Sequence, residues 1–259
     1  MFRLRAGLPG WLACAAAAWA QAPTPEQTTA AIEMSRKAAL NYARSLPDFI
    51  CTQVVHREIP GQVSWRRFDT LTIQLSYFDQ REDHKLLLVD GKPSEKSYAD
   101  LSGAISVGEF ALLQRQIFDP ASQAVFTWQK WTKVGKRQAA IYLYRVDVSH
   151  SQYSLNFWTS AGFTQAIVGY HGTVEVDRET GDVLSLTCIA DAIPKTYPIK
   201  SSTTRVTYDL ADVGGKQYLL PASSEVEMRV REVWARNRAE YHDYRKFSAD
   251  SAVHFGDAR

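Results

Sequence analysis

Six histidines are the first residues to test for chemistry: His56, His84, His150, His171, His242 and His254. A metal centre or an acid–base pair is recognisable in sequence when such residues recur at short fixed spacings, as in H-E-x-x-H. None of the six has such a partner. A serine nucleophile on an elbow turn needs G-x-S-x-G. The run Gly103, Ser106, Gly108 misses that spacing by one residue, and Ser106 suits a helix cap better. Gly135-Lys136 and Gly215-Lys216 lack the rest of a phosphate-binding loop. Cys51 and Cys188 stand too far apart for a redox C-x-x-C. Glu82-Asp83 and Asp177/Glu179 fall at strand ends and turns, where acids are solvated. The late basic residues Arg229, Arg231, Arg236, Arg238, Arg245 and Lys246 are interleaved with Glu225, Glu227, Glu232, Glu240 and Asp243. That mixture reads as opposite charges on the exposed face of neighbouring strands rather than an anion-binding patch. The expectation is a protein with no catalytic residue, no metal and no cofactor.

The first residues are set aside before any fold is argued. Arg3 and Arg5 precede an apolar stretch from Leu8 to Ala18, and Ala18-Trp19-Ala20 is a small-x-small cleavage site. This is a secretory signal peptide with cleavage after Ala20, which leaves 21–259 as one domain. The alternative is a membrane-anchored lipoprotein through Cys14, for which Trp11-Leu12-Ala13 makes a poor attachment box. Cleavage removes two arginines and leaves basic and acidic residues in balance. A nucleic-acid partner wants a basic face, so none is expected. No later stretch is long and apolar enough for a transmembrane span. The expected location is exported and periplasmic. Two cysteines remain, Cys51 and Cys188, and a pair in an exported chain invites a disulfide; two separate buried thiols are the alternative.

The elements that would position any site are mostly strands. The clearest unit is Gly172 to Ala190, GTVEVDRETGDVLSLTCIA. Val174 and Val176 alternate with polar residues, a turn at Arg178–Gly181 follows, and Leu184, Leu186 and Cys188 alternate again. That is an antiparallel hairpin with one apolar face. The same alternation sets Leu71, Ile73, Leu75 and Tyr77 on one side of the segment Asp69 to Phe78. It recurs in Val206 and Tyr208, and in Val226, Met228 and Val230. Further strands are expected over 50–58, 83–89, 124–133, 138–149, 153–158, 217–220 and 234–247. Two helices interrupt them. Thr24, Pro25 and Gln27 open the first with a capping box, Ile32, Ala39 and Leu46 follow at helical spacing, and Pro47 stops it. Ser106 and Glu109 cap the second, whose apolar stripe is Phe110, Leu113 and Ile117.

The strand–turn–strand GTVEVDRETGDVLSL resembles the corresponding element of periplasmic lipoprotein-carrier and lipoprotein-sorting proteins. Segments such as SLPDFICTQ, GEFALLQRQIFDPAS and YRKFSADS resemble a further group of exported bacterial proteins with no assigned function. The carrier resemblance implies an α+β protein, mainly β. A strongly curved antiparallel sheet of about ten strands, a half-barrel, would have its concave face covered by the two helices. It also implies a lipid or acylated protein as partner, held between sheet and helices. The competing reading is a cell-envelope interaction module of the same fold with a filled core and a protein partner.

The expected ligand surface is therefore the apolar face named above: Leu71, Ile73, Leu75, Tyr77, Val174, Val176, Leu184, Leu186, Val206, Tyr208, Val226, Met228 and Val230, with Phe110, Leu113 and Ile117 over it. The export reading has a direct check. Protein recovered from its host and measured by mass spectrometry is expected to begin at Gln21. A lipidated N-terminal Cys14 would refute that.

Overall fold

The computed structural model describes residues 22–97, 101, 111–159 and 162–247. The expected signal peptide with Cys14, and the expected cap and first turn at Ser106 and Phe110, lie outside the described residues. The chain opens with helix α1 (Pro25–Ser45) and four strands: β1 (Phe49–Pro60), β2 (Trp65–Phe78), β3 (Arg81–Val89) and β4 (Lys92–Pro93). A short helix α2 (Leu112–Phe118) leads to β5 (Val125–Val134) and β6 (Arg137–Val146). The hairpin β7 (Ser154–Thr159) and β8 (Gly162–Ile167) comes next. Then follow β9 (Gly169–Asp177), β10 (Val183–Asp191), β11 (Ile199–Val213), β12 (Lys216–Val230) and β13 (Val233–Lys246).

Eleven of these strands form one antiparallel sheet in the order β4-β3-β2-β1-β13-β12-β11-β10-β9-β6-β5, open at both ends; β7 and β8 pair separately. The single helix α1 reaches strands far apart in that order. Tyr77 of β2 donates to the Ala43 carbonyl at 3.2 Å. Tyr42 donates to the Leu219 carbonyl of β12 at 2.8 Å and meets the Tyr208 ring of β11 edge-on at 6.0 Å. One helix can touch all of these only if the sheet wraps around it. The sheet is the expected half-barrel, and α1 lies in its hollow. The capping box of Thr24 and Gln27 is present as expected, and the helix buries Ile32, Ser35, Ala39 and Tyr42.

Gly181 shows how tightly the helix is seated. It sits at φ +77°, and a Cβ there would lie 2.8 Å from Met34 Cγ and 2.9 Å from the Ser35 nitrogen. Only glycine lets the β9–β10 turn press on the α1 backbone.

Three expectations need correction. The segments 217–220 and 225–232 are not two strands but one, β12, which runs through Pro221. The proline is tolerated because the β11–β12 register shifts between Thr207 and Tyr208, beside Pro221. The described second helix, α2, starts at Leu112, and Ala111 before it makes no side-chain cap hydrogen bond. Leu184 does not continue the alternation of Leu186 and Cys188. The β9–β10 register shifts between Val183 and Ser185, so Val183 joins the cluster under α1 in its place, while Leu184 is buried at the bulge.

The third correction concerns the concave face, which is not uniformly apolar. Gln53, Arg57, Asp69, Ser202, Thr204, Ser224 and Asn237 are all buried. Asp69 is two residues from Leu71 and on its side of β2, and it pairs with Arg57. Along the register, Arg57 faces Asn237, Asn237 faces Val226, Val226 faces Thr204, and Thr204 faces Cys188. A mostly polar row, broken by Val226, thus crosses the hollow from Asp69 of β2 to Thr204 of β11. The buried charges are tolerated because they bond to each other. Arg57 grips Asp69 with Nε at 2.6 Å and a second, short contact from Nη2. The Tyr241 hydroxyl bridges Gln53 at 3.2 Å and Ser224 at 3.1 Å. A bidentate buried ion pair is costly to break from one side.

A second glycine marks the tightest fold of the sheet. A Cβ on Gly172 would collide with the Thr187 carbonyl, and the Tyr144 ring lies 3.2 Å away. Tyr144, opposite Gly172 in the register, passes over it and donates to that same carbonyl at 2.9 Å. Gly172→Ala is expected to destabilise the fold by about 1–3 kcal/mol through overpacking, measured as the shift in urea midpoint. An unchanged midpoint would contradict this packing.

Candidate functional site

The predicted ligand residues are brought together by the fold, but in separate groups. Leu71, Ile73, Leu75 and Tyr77 pack with Phe49, Cys51 and Val55 in one cluster. Leu113, Ile117, Val174, Val176, Leu186, Val206 and Tyr208 belong to a second, with Ile32, Ala39 and Tyr42 of α1. Met228 and Val230 pack against a third, built on Leu155 of β7 and on Tyr197 and Ile199. Val226 is buried beside the polar row. Phe110 lies outside the described residues.

An open space of the right size lies to one side of these clusters. A cleft of about 450 Å³ is bounded by the start of α1, edge strand β5, β6 and the end of β9. Its apolar walls are Ala31, Met34, Trp131, Ala140, Tyr142 and Val176; Thr24, Gln27, Asp177 and Arg178 add polar groups. Of the predicted ligand residues, Val176 lines it. The space exists because alanines stand where larger side chains would meet: Ala31 on the helix and Ala140 on the strand beneath.

Trp131 reaches this cleft through an irregularity. Trp128 and Trp131 are three residues apart, which in a regular strand would put them on opposite faces. The β5–β6 register shifts between Trp128 and Lys130, with Gln129 left unpaired, so that Trp128 faces Tyr142 and Trp131 faces Ala140. The bulge turns both indoles to the concave face, where they meet edge-on at 5.6 Å. Neither tryptophan was among the expected site residues. The signal was there in W-x-x-W within a strand, which demands either a bulge or an exposed indole.

The electrostatics of the cleft centre on Arg178. Its guanidinium lies 4.0 Å above the Trp131 ring. Asp177 accepts from the amides of Glu179 at 2.8 Å and Thr180 at 3.1 Å and faces Arg137 at 3.5 Å, so that carboxylate is already engaged. Tyr142 is fully buried, and its hydroxyl has no hydrogen-bond partner among the described residues. Burial raises the Tyr142 pKa, and the positive charge of Arg178 acts against that rise.

The described histidines lie apart from one another. His171 stands 2.9 Å from Asp191 on the convex face, with Arg145 at 3.4 Å from the same carboxylate. His56 contacts Thr70 at 3.2 Å, and His242 lies 3.5 Å from Glu240. His254 is outside the described residues. Among the described residues no group of three His, Cys, Asp or Glu side chains could hold a metal ion, and no helix is long and apolar enough to cross a membrane.

The fold and cleft define a class: an open, curved antiparallel sheet wrapped around an N-terminal helix. The chain is similar to several solved structures. One is a DUF1329 family protein from Desulfovibrio piger, with TM-score 0.38 and 11% identity over 87% of this chain and 94% of the other. Another is a domain described as an outer membrane lipoprotein-sorting protein, from Vibrio parahaemolyticus, with TM-score 0.40 and 13% identity over 87% and 94%. A third is a LolA superfamily protein from Nitrosomonas europaea, with TM-score 0.34 and 7% identity over 85% and 93%. No protein-family model and no curated protein matches the chain. Similarity at this level carries no site residue and no ligand across to this chain.

Cys51 and Cys188 both face inward, as the alternation predicts, but they are free. Cys51 lies on β1 and Cys188 on β10, four strand spacings apart in the sheet. At about 4.8 Å each that is roughly 19 Å along the sheet, far beyond the Cα separation of about 7 Å a disulfide allows. Burial pushes both thiols up from 9.0 to about 12, while hydrogen bonds with Tyr244 and with Tyr144 and Tyr153 act in the opposite sense. A raised thiol pKa favours the folded state's neutral form. Its stabilising effect is complete below 9.0 and is lost as pH rises towards about 12. The unreduced protein is expected to show two reactive thiols when denatured and to resist labelling when folded. Its urea midpoint should fall between about pH 8 and pH 10.5. Absence of free thiols in the denatured, unreduced protein would restore the bridge.

Proposed function

We propose that this is an exported, periplasmic, non-catalytic binding protein that holds a hydrophobic ligand, a lipid or the acyl chain of a modified protein, between its curved sheet and α1. The observation that supports this reading is the cleft of about 450 Å³ walled by Trp131, Tyr142, Val176, Ala31 and Met34. Its volume falls in the range of about 300–1,000 Å³ usual for small-molecule sites, and its walls combine apolar side chains with the polar groups of Thr24, Gln27, Asp177 and Arg178. The predicted apolar residues of β2, β11 and β12 serve as the core that holds the hollow open. They do not form the contact surface of the ligand. The filled clusters along the rest of the hollow favour a second reading, an envelope module that binds a protein partner.

Ligand binding is tested by filling the space. Ala31→Trp, at a half-buried helix position, is expected to weaken binding of a fluorescent acyl probe by about tenfold or more while the circular dichroism spectrum is kept. A wild-type protein that binds no acyl probe would refute the carrier reading and leave the envelope module.

A further inference from the structure

Resting on the cleft as the ligand site, we propose that it selects an apolar chain carrying an uncharged carbonyl group, an ester or an amide, and that the Tyr142 hydroxyl donates to that carbonyl oxygen.

The inference rests on the donors and acceptors of the cleft wall. Tyr142 lines the cleft and is fully buried, and its hydroxyl has no partner among the described residues. Tyr144 and Tyr170, packed in the same cluster, each donate to a main-chain oxygen, at 2.9 and 2.8 Å. Trp128 stands opposite Tyr142 in the β5–β6 register and edge-on to Trp131. It too buries an N–H with no partner among the described residues. An indole nitrogen can only donate.

The side-chain acceptors of the wall are already engaged. Gln27 Oε1 accepts from the Thr24 amide at 2.9 Å, and Thr24 Oγ1 accepts from the Gln27 amide at 3.2 Å. Asp177 accepts from two turn amides and faces Arg137. The wall is therefore short of acceptors, and the ligand has to bring one. A buried hydroxyl left without a partner is costly, and a ligand oxygen removes that cost.

The depth of Tyr142 selects the kind of acceptor. A plain hydrocarbon would leave the hydroxyl unpartnered. An ionised group taken to a fully buried position loses its water, at a cost that one phenol hydrogen bond does not return. A carbonyl oxygen is a neutral acceptor with two lone pairs. The size argues for one chain, since about 450 Å³ lies in the lower half of the usual range for ligand sites.

The test uses the whole mature chain. A neutral fluorescent apolar probe is displaced in turn by the methyl ester of a long-chain fatty acid, by the matching alkyl methyl ether, by an N-acyl peptide of the same chain length with a neutral end, and by the ionised fatty acid. The ester and the N-acyl peptide are expected to compete about tenfold better than the ether, which lacks the carbonyl oxygen. Whichever of the two is tighter identifies the source of the carbonyl, an ester lipid or an acylated protein. Tyr142→Phe, which keeps the ring, is expected to abolish the ester-over-ether preference while ether binding and the circular dichroism spectrum are kept. Tyr170→Phe, which removes a hydroxyl that already has a partner, is expected to retain the preference. Equal competition by ester and ether, an ionised acid that outcompetes the ester, or an unchanged ester preference in Tyr142→Phe would overturn the carbonyl inference and leave a hydrophobic carrier in place. Failure of the wild type to bind even the neutral probe would overturn the cleft as a ligand site, and this inference with it.

Discussion

An open sheet of eleven strands with one largely apolar face must cover that face, and here a single helix does most of the covering. The other features of the molecule follow from seating α1 in the hollow. The sheet has to curl to reach the helix from both sides. The β9–β10 turn has to press on the helix backbone, which only Gly181 allows. The helix has to be lean, and Ala31 and Ala39 keep it so. Where that leanness is not matched by a bulky residue on the strand below, at Ala140, the cleft remains.

Tyrosine is the residue that reconciles a curled sheet with its hydrogen-bonding needs. Bending exposes carbonyls to the interior, and an unpaired buried carbonyl is costly. Tyr42, Tyr144, Tyr197 and Tyr244 each fill space with a ring and donate a hydroxyl to a strand carbonyl, while Tyr77 and Tyr170 do the same for carbonyls in the last turns of α1 and α2. Tyr142 lines the cleft with a hydroxyl that has no such partner. That difference sets the cleft apart from the packed hollow beside it. The buried polar side chains of the hollow follow the same logic, since Arg57 and Asp69 meet in a bidentate pair and Gln53 and Ser224 share the Tyr241 hydroxyl.

Charge is distributed unevenly between the two faces. Arg205 pairs with Glu225, and Arg236 and Arg238 pair with Glu58, with half or more of the Arg205 and Arg238 side chains exposed. Such exposed pairs contribute little to stability and mainly keep an outer strand surface soluble. Arg178 lies elsewhere, just past the end of β9, where its guanidinium sits over the Trp131 indole at the cleft.

Period-two alternation determined most of the strands and the inward set of residues, because burying one face of a strand leaves no freedom in which side chains are apolar. Leu71, Ile73, Leu75 and Tyr77 needed nothing more, nor did the capping box of α1, whose three residues are local in sequence. The exceptions share one cause. Leu184, Pro221 and the pair Trp128/Trp131 depend on shifts of register, and a register shift belongs to two strands at once. The cysteines show the same limit, since facing inward is a local property whereas lying within bonding distance is a property of strand order. The polar row was hidden for a related reason: Arg57 and Asp69 look like surface charges until the register sets them opposite each other on the buried face. The cleft was the least legible feature. It is a volume left between Ala31 on a helix and Ala140 on a strand more than a hundred residues later, and only the tertiary packing decides whether two small side chains meet or leave a gap.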